Sequence, residues 1–379
     1  MLKLTSLIMM AALTTLSWAL PELDPKKSTV CSMTLNSDNE RELFRQQIEK
    51  DKKTYNPIVE LTELGGSDWF EKACRSGIKC DQLLISSHFS DTFSGTSNGV
   101  KRSLSMNKLE KAGCQHSCDG ILSNPVEVYL LGCNTVATKA PDSRTPDAYL
   151  KHLIEDGISQ GRAQLITEAR YGKMGDDNRS RMARAFRGND KILYGFTARG
   201  PSGTTIEPLL KNFFSKTTLG ENLKKAQAAR LTGAVNTANE LLKESLRVTA
   251  FDQCSAGKDS EKDRRICKIL HPKISVDHKL AVIEDALTDD NWIKYIPTIN
   301  GFFKDHPTES LTGSQKAIIK NLSKNKVIAR QAKNLQAESK YSAVRNEWAL
   351  FIKSMGFEGP TPASDPIGDI IDRIKKENL

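Results

Sequence analysis

The residues with the clearest chemical potential are one histidine and one cysteine, each placed where an apolar stretch ends. His88 follows the apolar run of CDQLLISSHF, and Cys133 ends VEVYLLGC, 45 residues further along the chain. An imidazole beside a thiol can take the thiol proton and later return it, and the thiolate is a strong nucleophile. The two residues therefore predict a catalytic dyad that attacks an amide carbonyl, with Cys133 as nucleophile and His88 as general base and later acid.

Such a dyad requires elements that bring the two residues together. From about residue 28 the chain alternates between helical segments and strand-like segments, namely TVCSMTL, NPIVELTEL, the run before His88, VEVYLLGCNTVA and KILYGFT. This alternation predicts a mainly parallel sheet covered by helices on both faces. Since working groups collect at the carboxyl ends of parallel strands, His88 and Cys133 should converge if their strands are neighbours. The spacing leaves room for the crossover that joins two parallel strands.

Composition divides the chain into four parts. Residues 1–19 have the basic start, apolar middle and small-x-small end of an export signal cleaved after Ala19, and no later segment resembles a membrane span. Residues 28–205 form the predicted α/β domain, 206–358 an all-helical region, and 359–379 a linker with a terminal amphipathic helix. The predicted fold class is α/β, a parallel-rich sheet flanked by helices and followed by an all-helical carboxyl-terminal region. The predicted location is the periplasm or the outside of the cell.

Export changes the interpretation of the eight cysteines, because closely spaced thiols become disulfides in an oxidising compartment. The stretch CQHSCDG also suggests zinc, but a structural zinc site needs four ligands and no second cluster lies nearby. A local disulfide is favoured there, and we expect neither a metal nor another cofactor. Cys31 and Cys133 are left over. The predicted disulfides are Cys74–Cys80, Cys114–Cys118 and Cys254–Cys267.

The formal net charge of +9 is spread along the chain and is not interleaved with clustered aromatic residues. No nucleic-acid-binding motif accompanies it, so a solvated basic surface is the ordinary interpretation and nucleic acid is not an expected partner. Contact with an acidic envelope surface stays open, as does an envelope-binding protein that works through its basic helices. The expected partner of the dyad is a protein or peptide substrate.

Two short blocks connect the chain to a known family. LLISSHF and VYLLGCNTVA resemble the paired His and Cys blocks of caspase-fold cysteine peptidases, the clan that includes caspases, gingipains, separase and CHAT-domain proteases. In that family one apolar strand ends in His-Gly, and the next ends in a small residue and then Cys. GCNT is similar to the Ala-Cys-Asn-Thr of many CHAT domains and to the Gly-Cys of separase. The likeness covers residues 28–205 in element order.

This resemblance implies a caspase-like fold and a peptidase in which Cys133 is the nucleophile and His88 the base. It also implies that the backbone amides of Phe89 and Cys133 bind the oxyanion. Phe89 stands where the family has glycine, and its large side chain is expected to narrow the cleft. Two functions follow: an exported cysteine endopeptidase, and a catalytically inactive caspase-fold binding or scaffold protein of the cell envelope.

Three further features lie around the two blocks. Asp91 is a weak candidate for orienting His88 or contacting a basic substrate, although a turn-forming aspartate is favoured. Lys101 and Arg102 form a basic pair in a predicted polar loop, where cleavage for maturation is an alternative to simple solvation. Residues 200–203, Gly-Pro-Ser-Gly, predict a turn after the fifth strand that could border the cleft.

Overall fold

The structure is a computed structural model that describes residues 22–97, 99–140, 143–232, 239–247, 250–257 and 260–357. The predicted export signal and the predicted linker and terminal helix lie outside these ranges. Among the described residues, none of the helices combines the length and the apolar character that crossing a membrane requires.

Within the described ranges, nine strands form two sheets. The large sheet has the order β2-β1-β3-β7-β8-β9, in which β9 is antiparallel to β8 and the other pairings are parallel. The small sheet is antiparallel, with the order β4-β5-β6. The strands are β1 (Val30–Thr34), β2 (Val59–Glu60), β3 (Gln82–Ser86), β4 (His88–Phe89), β5 (Thr92–Ser97), β6 (Val100–Ser105), β7 (Glu127–Leu131), β8 (Lys191–Phe196) and β9 (Phe251–Ala256).

Helices occupy the intervals between strands and most of the carboxyl-terminal half. Those before residue 220 are α1 (Asn39–Lys50), α2 (Trp69–Arg75), α3 (Met106–Cys114), α4 (Asp119–Leu122), α5 (Pro146–Glu155), α6 (Gln160–Tyr171), α7 (Asn178–Ala185) and α8 (Glu207–Lys216). The later ones are α9 (Leu219–Leu231), α10 (Glu240–Leu246), α11 (Glu261–Leu270), α12 (Val276–Ala286), α13 (Ile296–Asp305), α14 (Gly313–Leu322), α15 (Lys326–Glu338) and α16 (Ser342–Ser354).

Both faces of the large sheet are buried, which explains why its strands are continuously apolar rather than alternating. Leu83 and Ile85 of β3 belong to the core beneath α2, α3 and α7. Leu84, between them, belongs to the core on the opposite face, where α1, α8 and α9 pack. Helices α11–α16 bury a separate core, in which Trp292 packs against Trp348 with ring centroids 5.9 Å apart.

This architecture confirms the predicted fold class: a mainly parallel sheet flanked by helices, followed by a helical region. Within residues 206–358, however, β9 is a strand that closes the edge of the sheet, where only helices were expected. Helices α8 and α9 pack on the sheet rather than with the later helices, because their apolar residues, including Phe213 and Leu223, complete the core around α1.

Two local predictions differ from the structure. NPIVELTEL yields only the two-residue strand β2, followed by a 3₁₀ turn at Leu61–Leu64. The Glu60 carboxylate accepts hydrogen bonds from Ser32 Oγ at 2.7 Å, Thr34 Oγ1 at 2.6 Å and Thr62 N at 3.1 Å, which ties the chain down where it turns. The polar segment after His88 is not a loop, since it forms β4–β6.

The disulfide pairing was predicted wrongly in all three cases. The structure joins Cys31 to Cys80, Cys74 to Cys118 and Cys114 to Cys267, and leaves Cys133 and Cys254 as free thiols. Cys114 and Cys118 are close in sequence but contact different helices. Cys114 ends α3, which packs beside α11, whereas Cys118 precedes α4, which packs beside α2. The zinc alternative in CQHSCDG fails as well, since both of its thiols are oxidised.

The Cys114–Cys267 disulfide should be the most stabilising of the three, because it closes the longest loop, with a sequence separation of 153 residues. Replacing both cysteines with serine is expected to lower the free energy of unfolding by about 5 kcal/mol, mainly through the entropy of the unfolded chain. Chemical denaturation of the purified protein measures this change. Cys254→Ser is the control, since it removes a thiol without opening a crosslink. A loss below about 1 kcal/mol would contradict the entropic assignment.

Lys191 should make folding stability depend on pH. Its side chain is fully buried, its Nζ donates to the carbonyls of Leu122 at 2.9 Å and Ser123 at 2.8 Å, and burial lowers its pKa to about 7. The unfolded lysine keeps its proton up to about pH 10.4, so the unfolded state binds more protons above pH 7 and stability rises with pH.

Between pH 7 and 9 the free energy of unfolding of the wild type should rise by on the order of 2 kcal/mol relative to Lys191→Met. Urea denaturation of both proteins at matched pH values measures the difference. Parallel pH profiles would show that the carbonyl acceptors keep Lys191 charged.

Candidate active site

The site is built on the pairing of two adjacent parallel strands. β3 and β7 run in register from Gln82 opposite Glu127 to Ser86 opposite Leu131, and Ser87 N continues the ladder to Leu131 O at 3.2 Å. The strands that carry the predicted dyad are therefore neighbours, as the hypothesis required. His88 and Cys133 each lie two residues beyond the final pair, at the same edge of the sheet.

The turn that presents Cys133 is fixed on both sides. A Cβ at Gly132 would lie 3.0 Å from Phe89 Cβ and 3.0 Å from Ser87 O, so glycine allows the turn to approach β4 closely. Asn134 adopts a left-handed conformation with φ of 59°, and its N–H donates to Ala198 O at 2.8 Å. Asparagine tolerates this conformation better than most residues, so the sequence around the cysteine suits a sharp turn.

His88 and Phe89 form the short strand β4, whose two side chains have different environments. The imidazole is exposed, whereas the Phe89 ring is 2% exposed and lies against the ring of Phe93 with centroids 4.5 Å apart. Phe89 is absent from the described non-glycine residues with positive φ. The backbone at residue 89 therefore does not require glycine. Because the Phe89 ring packs into the core, it narrows the cleft less than expected from the sequence.

His88 and Cys133 line the same small cleft, which has an interior volume of about 30 Å³. This volume matches roughly one water molecule. A larger group would therefore contact the mouth of the cleft rather than enter it. The other residues of the lining are Phe89, Ser90, Asn134, Arg144, Tyr149, His152, Leu153, Asp156 and Arg199.

The Cys133 thiol is half-buried and free, and its Sγ lies 3.8 Å from Gly200 O. The turn after β8 thus borders the cleft, as predicted. Among the described residues, the Cys133 N–H donates no hydrogen bond. Ser90 N donates to Thr92 O at 3.2 Å in the antiparallel pairing of β4 with β5. Because successive residues of an antiparallel strand point their N–H groups to opposite sides, the Phe89 N–H points away from β5. The backbone N–H groups of Phe89 and Cys133, the two predicted oxyanion donors, are therefore not used in strand pairing among the described residues.

Sequence reasoning missed the contribution of α5 and of the loop before it. His152 Nε2 lies 3.5 Å from Asp156 Oδ2, and both residues line the cleft. Arg144 donates to Asn134 Oδ1 at 2.8 Å and lies over the Tyr149 ring, 4.8 Å from its centroid. The i,i+4 spacing of His152 and Asp156 on a helix following the Cys block was the available signal.

Tyr149 forms the back of the cleft. It is 2% exposed, and burial raises the pKa of its hydroxyl above the ordinary range, so it is neutral at neutral pH. A neutral ring beneath Arg144 provides a cation–π contact that holds the guanidinium at the cleft.

Asp91 does not serve the cleft. It occupies the turn between β4 and β5 with φ of 58°, and its carboxylate pairs with Arg181 and with Arg162, the latter at 2.9 Å. The turn-forming role is therefore the correct one, and the roles of orienting His88 or contacting substrate are not supported by its position. Lys101 and Arg102 lie in β6 rather than in a loop.

Comparisons of the chain with protein-family models, with curated proteins and with solved structures gave no match. The resemblance to caspase-fold peptidases stays a prediction that depends on the His and Cys blocks. Among the described residues, no group of three or more His, Cys, Asp or Glu side chains could hold a metal ion.

The two free thiols should differ in reactivity. Burial raises the pKa of Cys254 to about 12, whereas Cys133 opens into a cleft that also contains His88. At pH 7 iodoacetamide should therefore modify Cys133 at least about tenfold faster than Cys254, since the thiolate is the reacting form. Mass spectrometry of peptides after timed labelling measures both rates. His88→Ala should slow labelling of Cys133 alone. Equal rates at the two thiols would argue against activation.

Proposed function

We propose that the protein is an exported cysteine endopeptidase in which Cys133 and His88 form the catalytic dyad. One observation carries this proposal: the two side chains share a cleft at the ends of adjacent parallel strands. A second supports it, because six of the eight cysteines are consumed in disulfides while Cys133 remains a free thiol.

The proposed reaction uses groups already placed at the cleft. His88 takes the proton from Cys133 Sγ, and the thiolate attacks the carbonyl carbon of the scissile peptide bond. The N–H groups of Cys133 and Phe89 donate to the oxygen of the tetrahedral intermediate. His88 then protonates the leaving amine, which leaves a thioester on Cys133. The same imidazole deprotonates a water molecule that hydrolyses the thioester and restores the thiol.

Family and location are part of the same proposal. The order of elements, an apolar strand leading to His88 and the adjacent strand leading to Cys133, is the order that the resemblance to caspase-fold and CHAT-like peptidases implies. Three disulfides are consistent with a periplasmic or secreted protein, because such crosslinks persist in oxidising compartments.

A catalytically inactive binding or scaffold protein is the second candidate, and one feature favours it. Within the described part of the chain, the Cys133 thiol contacts the Gly200 carbonyl and makes no hydrogen bond to an imidazole. Catalytic hydrogen bonds are often long before substrate binds, so this geometry is compatible with both candidates. They differ in whether a bound peptide is cut.

Activity on a mixed peptide library separates the two candidates. Cys133→Ala should lower kcat/KM by at least about 10³-fold, and His88→Ala by about 10²- to 10⁴-fold, as expected for loss of a nucleophile and of a general base. Cleavage products are measured by mass spectrometry on the purified exported form. Cys254→Ala is the matched control, because it removes the other free thiol, and its kcat/KM should be unchanged.

His152→Ala tests the second imidazole of the cleft, which we expect to affect kcat/KM less than His88→Ala. The reverse order would transfer the base role to His152 and Asp156. The peptidase proposal is wrong if the wild-type protein cuts no library peptide and, like Cys133→Ala, does not react with thiol-directed inhibitors. The binding or scaffold protein would then be the remaining candidate.

A further inference from the structure

A second and much larger cavity lies away from the dyad cleft. It has a volume of about 710 Å³, and its walls come from α3, α6 and α7 on one side and from α11, α12 and α13 on the other. Tyr149 is the one residue that lines both spaces. The volume falls in the range of pockets that hold small molecules.

Most charges around this cavity neutralise one another. Arg181 pairs with Asp91 and Glu110, and Lys304 pairs with Glu347 at 2.9 Å. These pairs leave little charge for a ligand to meet. The cations that remain decide what the cavity can bind.

Three lysines of the lining make no ion pair and no side-chain hydrogen bond to any described residue, namely Lys111, Lys279 and Lys294. Among the lining carboxylates of the described chain, only Asp305 lacks a partner in the same sense. Three lysines and one carboxylate leave an excess of positive charge in the lining; Lys111 and Asp305 are exposed, Lys294 is half-buried and Lys279 is buried. An anion is therefore the group that the cavity would attract.

Lys279 is the strongest indication of a ligand. The residue is only 7% exposed, and burial and the nearby Lys111 lower its pKa while the more weakly acting Asp305 raises it. The Lys279 Nζ is not one of the described polar atoms that are fully buried without a hydrogen bond, so it reaches the open cavity, where no described carboxylate forms an ion pair with it. A charge held in a largely buried position is favoured by a nearby opposite charge. An anionic group bound beside Lys279 would supply the missing partner.

Part of the cavity wall is apolar. Ile166, Met174, Ile266, Ile269 and Phe302 line it, and each is less than 10% exposed. A purely polar anion would leave this surface in contact with water. An apolar chain attached to the anion would cover it and remove it from water, which favours binding.

We propose that this cavity binds a small amphipathic anion, an apolar chain that carries a carboxylate or phosphate head group. The head group contacts Lys279, with Lys111 beside it, and the chain lies along the apolar wall. The site is independent of the proposed peptidase chemistry, because neither lysine lines the dyad cleft.

Isothermal titration of the intact exported protein tests the proposal with four probes. Decanoate and decyl phosphate carry both an apolar chain and an anionic head, whereas decanol and inorganic phosphate each supply one half. Both amphipathic anions should bind at least about tenfold more tightly than either half, since charged hydrogen bonds and apolar burial then act together. A preference between the first two probes identifies the head group.

Lys279→Met should weaken decanoate and decyl phosphate by about tenfold or more and leave decanol unchanged. Lys320→Met is the matched control, because Lys320 is exposed on α14 and has no ion pair among the described residues, and it should bind all probes as the wild type does. Circular dichroism checks the fold of each variant. If Lys279→Met does not fold, Lys111→Met provides the same comparison.

Equal affinities of wild type and Lys279→Met for decanoate would overturn the proposal, as would decanol binding as tightly as decanoate. Repeating the titration with Cys133→Ala separates this site from the dyad, since removing the thiol should leave all four affinities unchanged. Ligand binding and peptide cleavage can thus fail independently of each other.

Discussion

The parallel pairing of β3 with β7 is the constraint on which the rest of the site depends. Leu83 and Leu84 belong to cores on opposite faces of the sheet, so a shift of one residue would exchange the two faces along the whole strand. Burial on both sides therefore fixes the register. That register sets Ser86 opposite Leu131, and the chain then brings an imidazole and a thiol to one edge.

The sequence was sufficient for the features that depend on strand periodicity. Continuous apolar runs separated by amphipathic helices predicted a mainly parallel sheet, and the carboxyl ends of its strands located the cleft. The hairpin after His88 was missed because its Ser, Thr and Gly residues lack an apolar alternation. Its strand pairing is secured instead by long-range contacts, such as those of Phe93 within the main core.

The disulfides and the second imidazole show a different limit. Cys74 is six residues from Cys80 in the sequence, yet the two thiols bond to partners 44 and 49 residues away, because helix packing rather than proximity along the chain decides which sulfurs meet. His152 joins the cleft through the packing of α5 against the turn that follows β7. The disulfide pairing cannot be read from local patterns, because it arises only after the layers assemble. The i,i+4 spacing of His152 and Asp156 marks that pair in the sequence but does not show that it lies at the cleft.

A buried ion-pair network lies in the wall of the larger cavity, where α3, α7 and α11 meet. Arg184 is 2% exposed in its side chain and pairs with Glu110, Asp176 and Asp263, which come from α3, the loop before α7, and α11. Such a network adds little net stability but makes removal of a single partner costly. It fixes α3 and α11 relative to each other, as the Cys114–Cys267 disulfide does, and so keeps the cavity walls at a defined separation.

The three disulfides all lie on the side of the sheet covered by α2 and α3, whereas the side covered by α1, α8 and α9 has no covalent crosslink among the described residues. Different regions of a protein unfold locally with different free energies. We expect the layer of α1, α8 and α9 to unfold locally at a lower free energy than the crosslinked layer. A partly open form would keep the thiol and the imidazole together while exposing the aromatic surface of Tyr129, Tyr194 and Phe214. Such a species would tend to self-associate through this aromatic surface.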